Sequence, residues 1–145
     1  MSGLSSAINA SASALDAQRA RIEVAVSNIA NAESTCGPDG QPYRRRDVVL
    51  SATPMDADPF GGALGRAQQA VGVTVSEVVQ DQDAFRRRYE PSHPDADAQG
   101  FVATPNVDVP EEMVDMLGAA RAYQANLTAI NLIRDTIQRA LELGR

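Results

Sequence analysis

The sequence predicts a mainly α-helical protein. Long N- and C-terminal helices form a coiled-coil-like pair, and a small β-rich insert of short strands and loops lies between them. Three observations predict it. Ile8, Leu15, Ile22 and Ile29 recur every seven residues within 3–32. A stronger seven-residue pattern fills 108–143. Between them, 33–107 holds seven of the ten glycines and seven of the eight prolines. The expected division is a terminal helical unit of 1–32 plus 108–145, with 33–107 as the insert.

The first helix carries Leu4, Ala12, Ala25 and Val26 on the same side as its four heptad residues. The rest of its first half is Ser and Ala, small enough for another helix to approach closely. It ends in "SNIANAEST", residues 27–35, where Asn28 and Asn31 fall within one turn. Asparagine is a mediocre helix former because its amide competes for nearby backbone groups. Ile29 is the last knob of the seam. Asn31 suits a left-handed helix end, and Asn28 is free to bond a neighbouring backbone or another subunit.

The second helix has a well-marked start. Asp108 is the expected N-cap, Pro110 sits in the first turn, Glu111 stands three after the cap, and Glu112 and Asp115 favour the positive end of the dipole. Met113, Ala120, Leu127 and Leu141 fill one heptad position, interrupted by Arg134. Met116, Tyr123, Ile130 and Ile137 fill the position three later. Each helix is expected to be about 45 Å long. Leu117, Leu132 and Ile133 lie outside this pair of positions, as does Val24 on the first helix. A single two-helix contact covers only one stripe, so the wider apolar arc asks for other chains.

Composition points the same way. Alanine supplies 24 of the 145 residues, while Leu, Ile, Val and Phe together supply 31, and there is no Trp. Such a chain makes helices more readily than it fills a large private core.

In the insert, "PDG" at 38–40 is turn chemistry leading into "YRRRDVVLSA". "VGVTV" at 71–75 alternates at period two, and "FRRRYE" and "GFVATP" complete four strand-like stretches. Residues 53–70 show no pattern and are expected to form a flexible loop.

The net charge of −6 argues against general nucleic-acid binding, which wants a basic face. All 13 basic residues are Arg, and two triplets, 44–46 and 86–88, stand on strand-like stretches. Alternate side chains there point to opposite faces, so neither triplet makes a one-sided cluster. Asp-x-Asp pairs at 56/58, 81/83 and 95/97 can balance them. Cys36 is the only cysteine, which rules out an intramolecular disulfide.

Catalytic signals are thin. His93 is the single histidine, set in "PSHP", and reads as a turn residue rather than a base or a metal ligand. "GGALG" lacks the Lys of a phosphate loop. From Asp95, "DADAQGFVATPN" matches early positions of a calcium loop, but Asn106 stands where a bidentate Glu is required. No enzyme activity, metal or cofactor is expected. The N-terminus has neither the basic nor the apolar region of a signal peptide, and no run reaches membrane-spanning length. By these features alone the chain reads as cytoplasmic.

Five stretches carry a family resemblance. "SNIANAEST" after an amphipathic helix resembles the signature of the bacterial flagellar axial proteins, the rod and hook subunits. "RAYQANLTAINLIRDTIQRALELG" is similar to that family's C-terminal helix. "GPDGQPYRRRDVV", "YEPSHPDADAQGFV" and "PNVDVPEEMVDML" resemble its short proximal-rod members in particular. The motif residues are Ser27, Asn28, Ile29, Ala30, Asn31, Asn106, Val107, Asp108, Tyr123, Gln124 and Asn126. The resemblance implies a structural subunit of the basal-body rod that assembles helically, transmits torque and helps line the export channel. It implies other copies of itself, other rod proteins, and ring and export-gate proteins as partners. It also implies passage through the flagellar type III apparatus without cleavage, to a periplasmic rod. A small cytoplasmic coiled-coil adaptor or export chaperone is the alternative.

Overall fold

The computed structural model describes residues 2–54 and 71–143. Its elements run α1 (Ser2–Ala30), β1 (Arg46–Pro54), β2 (Val71–Gln80), β3 (Arg86–Tyr89), β4 (Phe101–Thr104) and α2 (Val109–Leu143). The chain is therefore mainly helical with a small β insert, as its sequence predicts. Of the stretch expected to be a loop, Thr53 and Pro54 close β1, and the remainder lies outside the described residues.

The two helices pack against each other, and an Asn28–Glu112 hydrogen bond ties the end of α1 to the start of α2. They run antiparallel. The cap of α2 forms as its sequence dictates: Asp108 Oδ1 accepts the Glu111 N–H and the Asp108 carbonyl accepts that of Glu112.

Strands β1 and β2 form an antiparallel pair, with Arg46 opposite Gln80 and Pro54 opposite Val71. A register shift between Val49 and Leu50 bulges the pair. The hairpin lies on α1, where Ser13 Oγ accepts the Val73 N–H at 3.0 Å. The small-residue face of α1 thus receives a strand as well as a helix. Strands β3 and β4 pair separately, and the turn before β4 requires Gly100: its φ is +82°, and an added Cβ would lie 2.9 Å from Tyr89 Cε2.

The buried hydrophobic residues among those described are Ala17, Ala25, Val102, Val107 and Ala119. None exceeds valine in size, so side-chain burial within one chain is slight. Polar groups hold the centre instead.

Candidate functional site

Asn28 sits in the last turn of α1 and is completely buried. Its Nδ2 donates to the Arg46 carbonyl at 2.8 Å and to Glu112 Oε2 at 2.9 Å. Its Oδ1 accepts the Tyr43 hydroxyl at 2.9 Å and the Arg46 N–H at 3.0 Å. Two donors and two acceptor positions are all used, and the amide has only one workable orientation. A carboxylate can face only its NH2, and a backbone N–H only its oxygen. Asn28 thus meets its own second helix through Glu112 and a neighbouring backbone at Arg46.

Glu112 is 2% exposed, and its Oε1 receives Arg45 Nε at 2.6 Å. Burial works against the charge on Arg45, but the hydrogen bond and charge of Glu112 outweigh it and hold the guanidinium above its ordinary pKa. The Arg45 backbone is fixed too: its N–H reaches Asn106 Oδ1 at 3.2 Å and its carbonyl accepts the Asp81 N–H at 2.8 Å. The sequence suggested a simple dipole role for Glu112. It is instead the buried centre of a network joining α1, the 43–46 segment and α2.

Asn31 departs from expectation. No non-glycine residue among those described has a positive φ, so Asn31 does not end α1 in a left-handed conformation. Its Nδ2 instead bonds the Ser27 carbonyl at 2.8 Å, and Ser34 Oγ donates to its Oδ1. The side chain thus joins the Asn31 N–H, 3.1 Å from the same carbonyl, in closing the helix end.

The remaining arginines of the triplets are individually occupied. Arg44 lies 4.3 Å from the Phe85 ring centroid and bonds the carbonyls of Asp81 and Asp83. Arg86 approaches Asp108 at 3.6 Å, Arg87 meets Asp97 at 2.6 Å and Arg88 meets Glu90 at 3.0 Å. The Asp95–Asp97 stretch is a turn: Asp97 Oδ1 accepts the N–H groups of Gln99 and Phe101, while Asp95 Oδ2 accepts Thr35 Oγ1. His93 Nδ1 accepts the Asp95 N–H at 3.1 Å. Among the described residues no group of three or more His, Cys, Asp or Glu is placed to hold a metal, and none of the helices is long and apolar enough to cross a membrane.

The seam residues divide. On α1, Ile8, Leu15, Ile22 and Ile29 are all half-buried. On α2, Met116, Tyr123, Ile130 and Ile137 are half-buried, but their partner row is Glu112, Ala119, Asn126 and Ile133. The expected partner row one residue later leaves Met113 53%, Leu127 44% and Leu141 65% exposed, with Leu117 and Leu132 also exposed. Ile133, expected on the outer flank, falls in the half-buried row. Among the motif residues, Val107 is buried, and Asn126 Nδ2 bonds the Ala122 carbonyl in its own helix.

Tyr43, Arg45 and Glu112 were not expected at the site. A signal for Glu112 is its spacing, four before Met116 and seven before Ala119, which puts an acid in the apolar seam.

Residues 8–38 match the family model "Flagella basal body rod protein", and 98–143 match "Flagellar basal body rod FlgEFG protein C-terminal". The flagellar basal-body rod protein FlgC of Salmonella typhimurium is 47% identical over 133 residues, covering 92% of each chain. The same protein of Bacillus subtilis is 40% identical, covering 95% of this chain and 96% of its own, and that of Borreliella burgdorferi is 38% identical over 97% of both. The matched ends hold α1 with its asparagine turn and β4 with α2, so both helices that the buried network ties together lie within them: this chain belongs to the FlgC family of flagellar basal-body rod proteins.

Proposed function

We propose that the chain is a structural, non-enzymatic subunit of the proximal rod, assembling helically with its own copies and with other rod proteins. The observation that carries this reading is the apolar row left on α2 by a chain of this family. Met113, Val114, Leu117, Leu127, Leu132 and Leu141 are each more than 40% exposed, along nearly the whole helix. Exposed apolar surface of that extent is a feature of association surfaces. The rod transmits torque and its inner wall helps line the export channel; ring and export-gate proteins are its further neighbours. The subunit reaches the periplasm through the flagellar type III apparatus without cleavage. A core whose buried hydrophobic side chains, among the described residues, do not exceed valine suits a chain that must travel unfolded and gain burial on assembly. Fractionation tests this: the protein should co-purify with detergent-resistant basal bodies. Recovery only as a monodisperse cytoplasmic species would favour an adaptor or chaperone instead.

A further inference from the structure

Helix α2 carries two overlapping apolar rows. Met116, Tyr123 and Ile130 belong to both. Glu112, Ala119 and Asn126 stand on one flank of them, and Met113, Ala120 and Leu127 on the other. The second flank has Met and Leu where the first has Glu and Asn. Hydrophobic burial alone therefore favours α2 turned by about 50° from its observed setting, half the step between adjacent residues. The structure shows the opposite: Met113 and Leu127 are exposed, and Glu112 is 2% exposed.

The geometry points to Asn28, Glu112 and Arg45 as a latch that fixes the rotational setting of α2 against the hydrophobic preference and holds the Met113–Leu127 row outward. The donors cannot follow a turning helix. Asn28 is held by Tyr43 and by both backbone groups of Arg46, and the Arg45 backbone is held by Asn106 and Asp81. Only Glu112 can come to them, and its arrival sets the rotation. Turning α2 would withdraw the acceptor and leave Arg45 and one Asn28 N–H without it, which is costly at a buried site. Arg134 continues the second flank one heptad later and also disfavours the turned setting. Changing the latch while leaving Arg134 separates the two causes. This inference does not depend on what covers the outward row.

Methionine oxidation reads the setting directly, because the turn would carry Met113 into the seam while Met116 stays in it, and an exposed thioether reacts faster. Full-length protein is treated with hydrogen peroxide and the sulfoxide at each position followed by mass spectrometry. In the native chain Met113 should oxidise at least about threefold faster than the half-buried Met116. In Glu112→Ala the two rates should converge, because Met113 enters the seam that Met116 still occupies. Arg45→Gln, which alters neither helix, should lower the Met113/Met116 ratio. Equal rates in the native chain would overturn the latch. So would an unchanged ratio in either variant that keeps its helical circular dichroism. Loss of helical structure in both variants would overturn it too, since a device that only sets rotation is not required for the helices to form.

Discussion

Substituting Asn28 by alanine removes four hydrogen bonds at once and leaves the Arg46 N–H and the Glu112 carboxylate without a partner they now have. Unsatisfied buried groups cost about 1–3 kcal/mol each, so Asn28→Ala should lower unfolding stability by about 2–4 kcal/mol in urea titration, allowing for partial rehydration. Asp97 makes a separate prediction. The Phe101 N–H holds its carboxyl below the ordinary pKa, helped by the Gln99 N–H and by Arg87, with burial opposing. A depressed carboxyl contributes stability that is present above its unfolded pKa and lost as pH falls through the folded one. The 97–101 turn should therefore persist through the usual aspartate range near about pH 4 and loosen only below it. The Phe101 amide resonance followed by NMR during acid titration checks this; loosening well above pH 4 would contradict the assignment. At this scale the sequence was partly legible. Two asparagines at a helix end announced a polar role, but the partners of Asn28 lie 15 to 84 positions away, and no local pattern reports that.

The elements were more legible than their faces. The strand-like stretches at 71–75, 85–90 and 100–105 lie within or around β2, β3 and β4, and Asp108 caps α2 where Pro110 and two acids said it would. The rotational setting of α2 was not legible. A seven-residue period identifies a seam, yet here two rows one residue apart share Met116, Tyr123 and Ile130, and the more apolar row is the one left outside. Counting hydrophobic residues selects Met113 and Leu127. A buried ion pair selects Glu112. The β1–β2 bulge was equally invisible, because nothing in "VGVTVSEVVQ" marks Ser76 as the residue left without a partner between Val75 and Glu77. The half-buried row does support one firm expectation. Ile130→Asp places a carboxylate against α1, at a cost of several kcal/mol unless it is paired. It should abolish swarming on soft agar, whereas His93→Ala, which loses only a turn hydrogen bond, should swarm normally. A non-motile His93→Ala strain with normal protein levels would reveal a role that its turn geometry does not supply.

At the scale of the whole molecule, the surface of α2 divides into a side that its own chain covers and a side that it leaves open. The row through Met116, Tyr123, Ile130, Ile133 and Ile137 is half-covered within the chain, while Leu117 and Leu132 stay exposed on the far side. A residue that is 67% exposed, as Leu132 is, contributes little to the stability of the isolated subunit. Leu132→Ser should therefore shift its unfolding free energy by less than about 0.5 kcal/mol. If a neighbouring rod subunit covers that position, the same change removes most of a leucine's burial from the contact, about 1.5–3 kcal/mol per interface. In a helical assembly that loss recurs at every equivalent contact, so a modest local change has a large effect on polymer formation. Leu132→Ser should leave the thermal melt of the purified chain in place yet reduce its recovery in basal bodies and slow swarming. Leu117→Ser, on the same exposed side, should behave alike. Ile133→Ser separates the two surfaces: its side chain lies in the half-buried row, so it should lower the melt of the purified chain itself. Equal destabilisation of the isolated subunit by all three changes, or normal basal-body recovery with Leu132→Ser, would show that the exposed side of α2 bearing Leu117 and Leu132 is not an assembly surface.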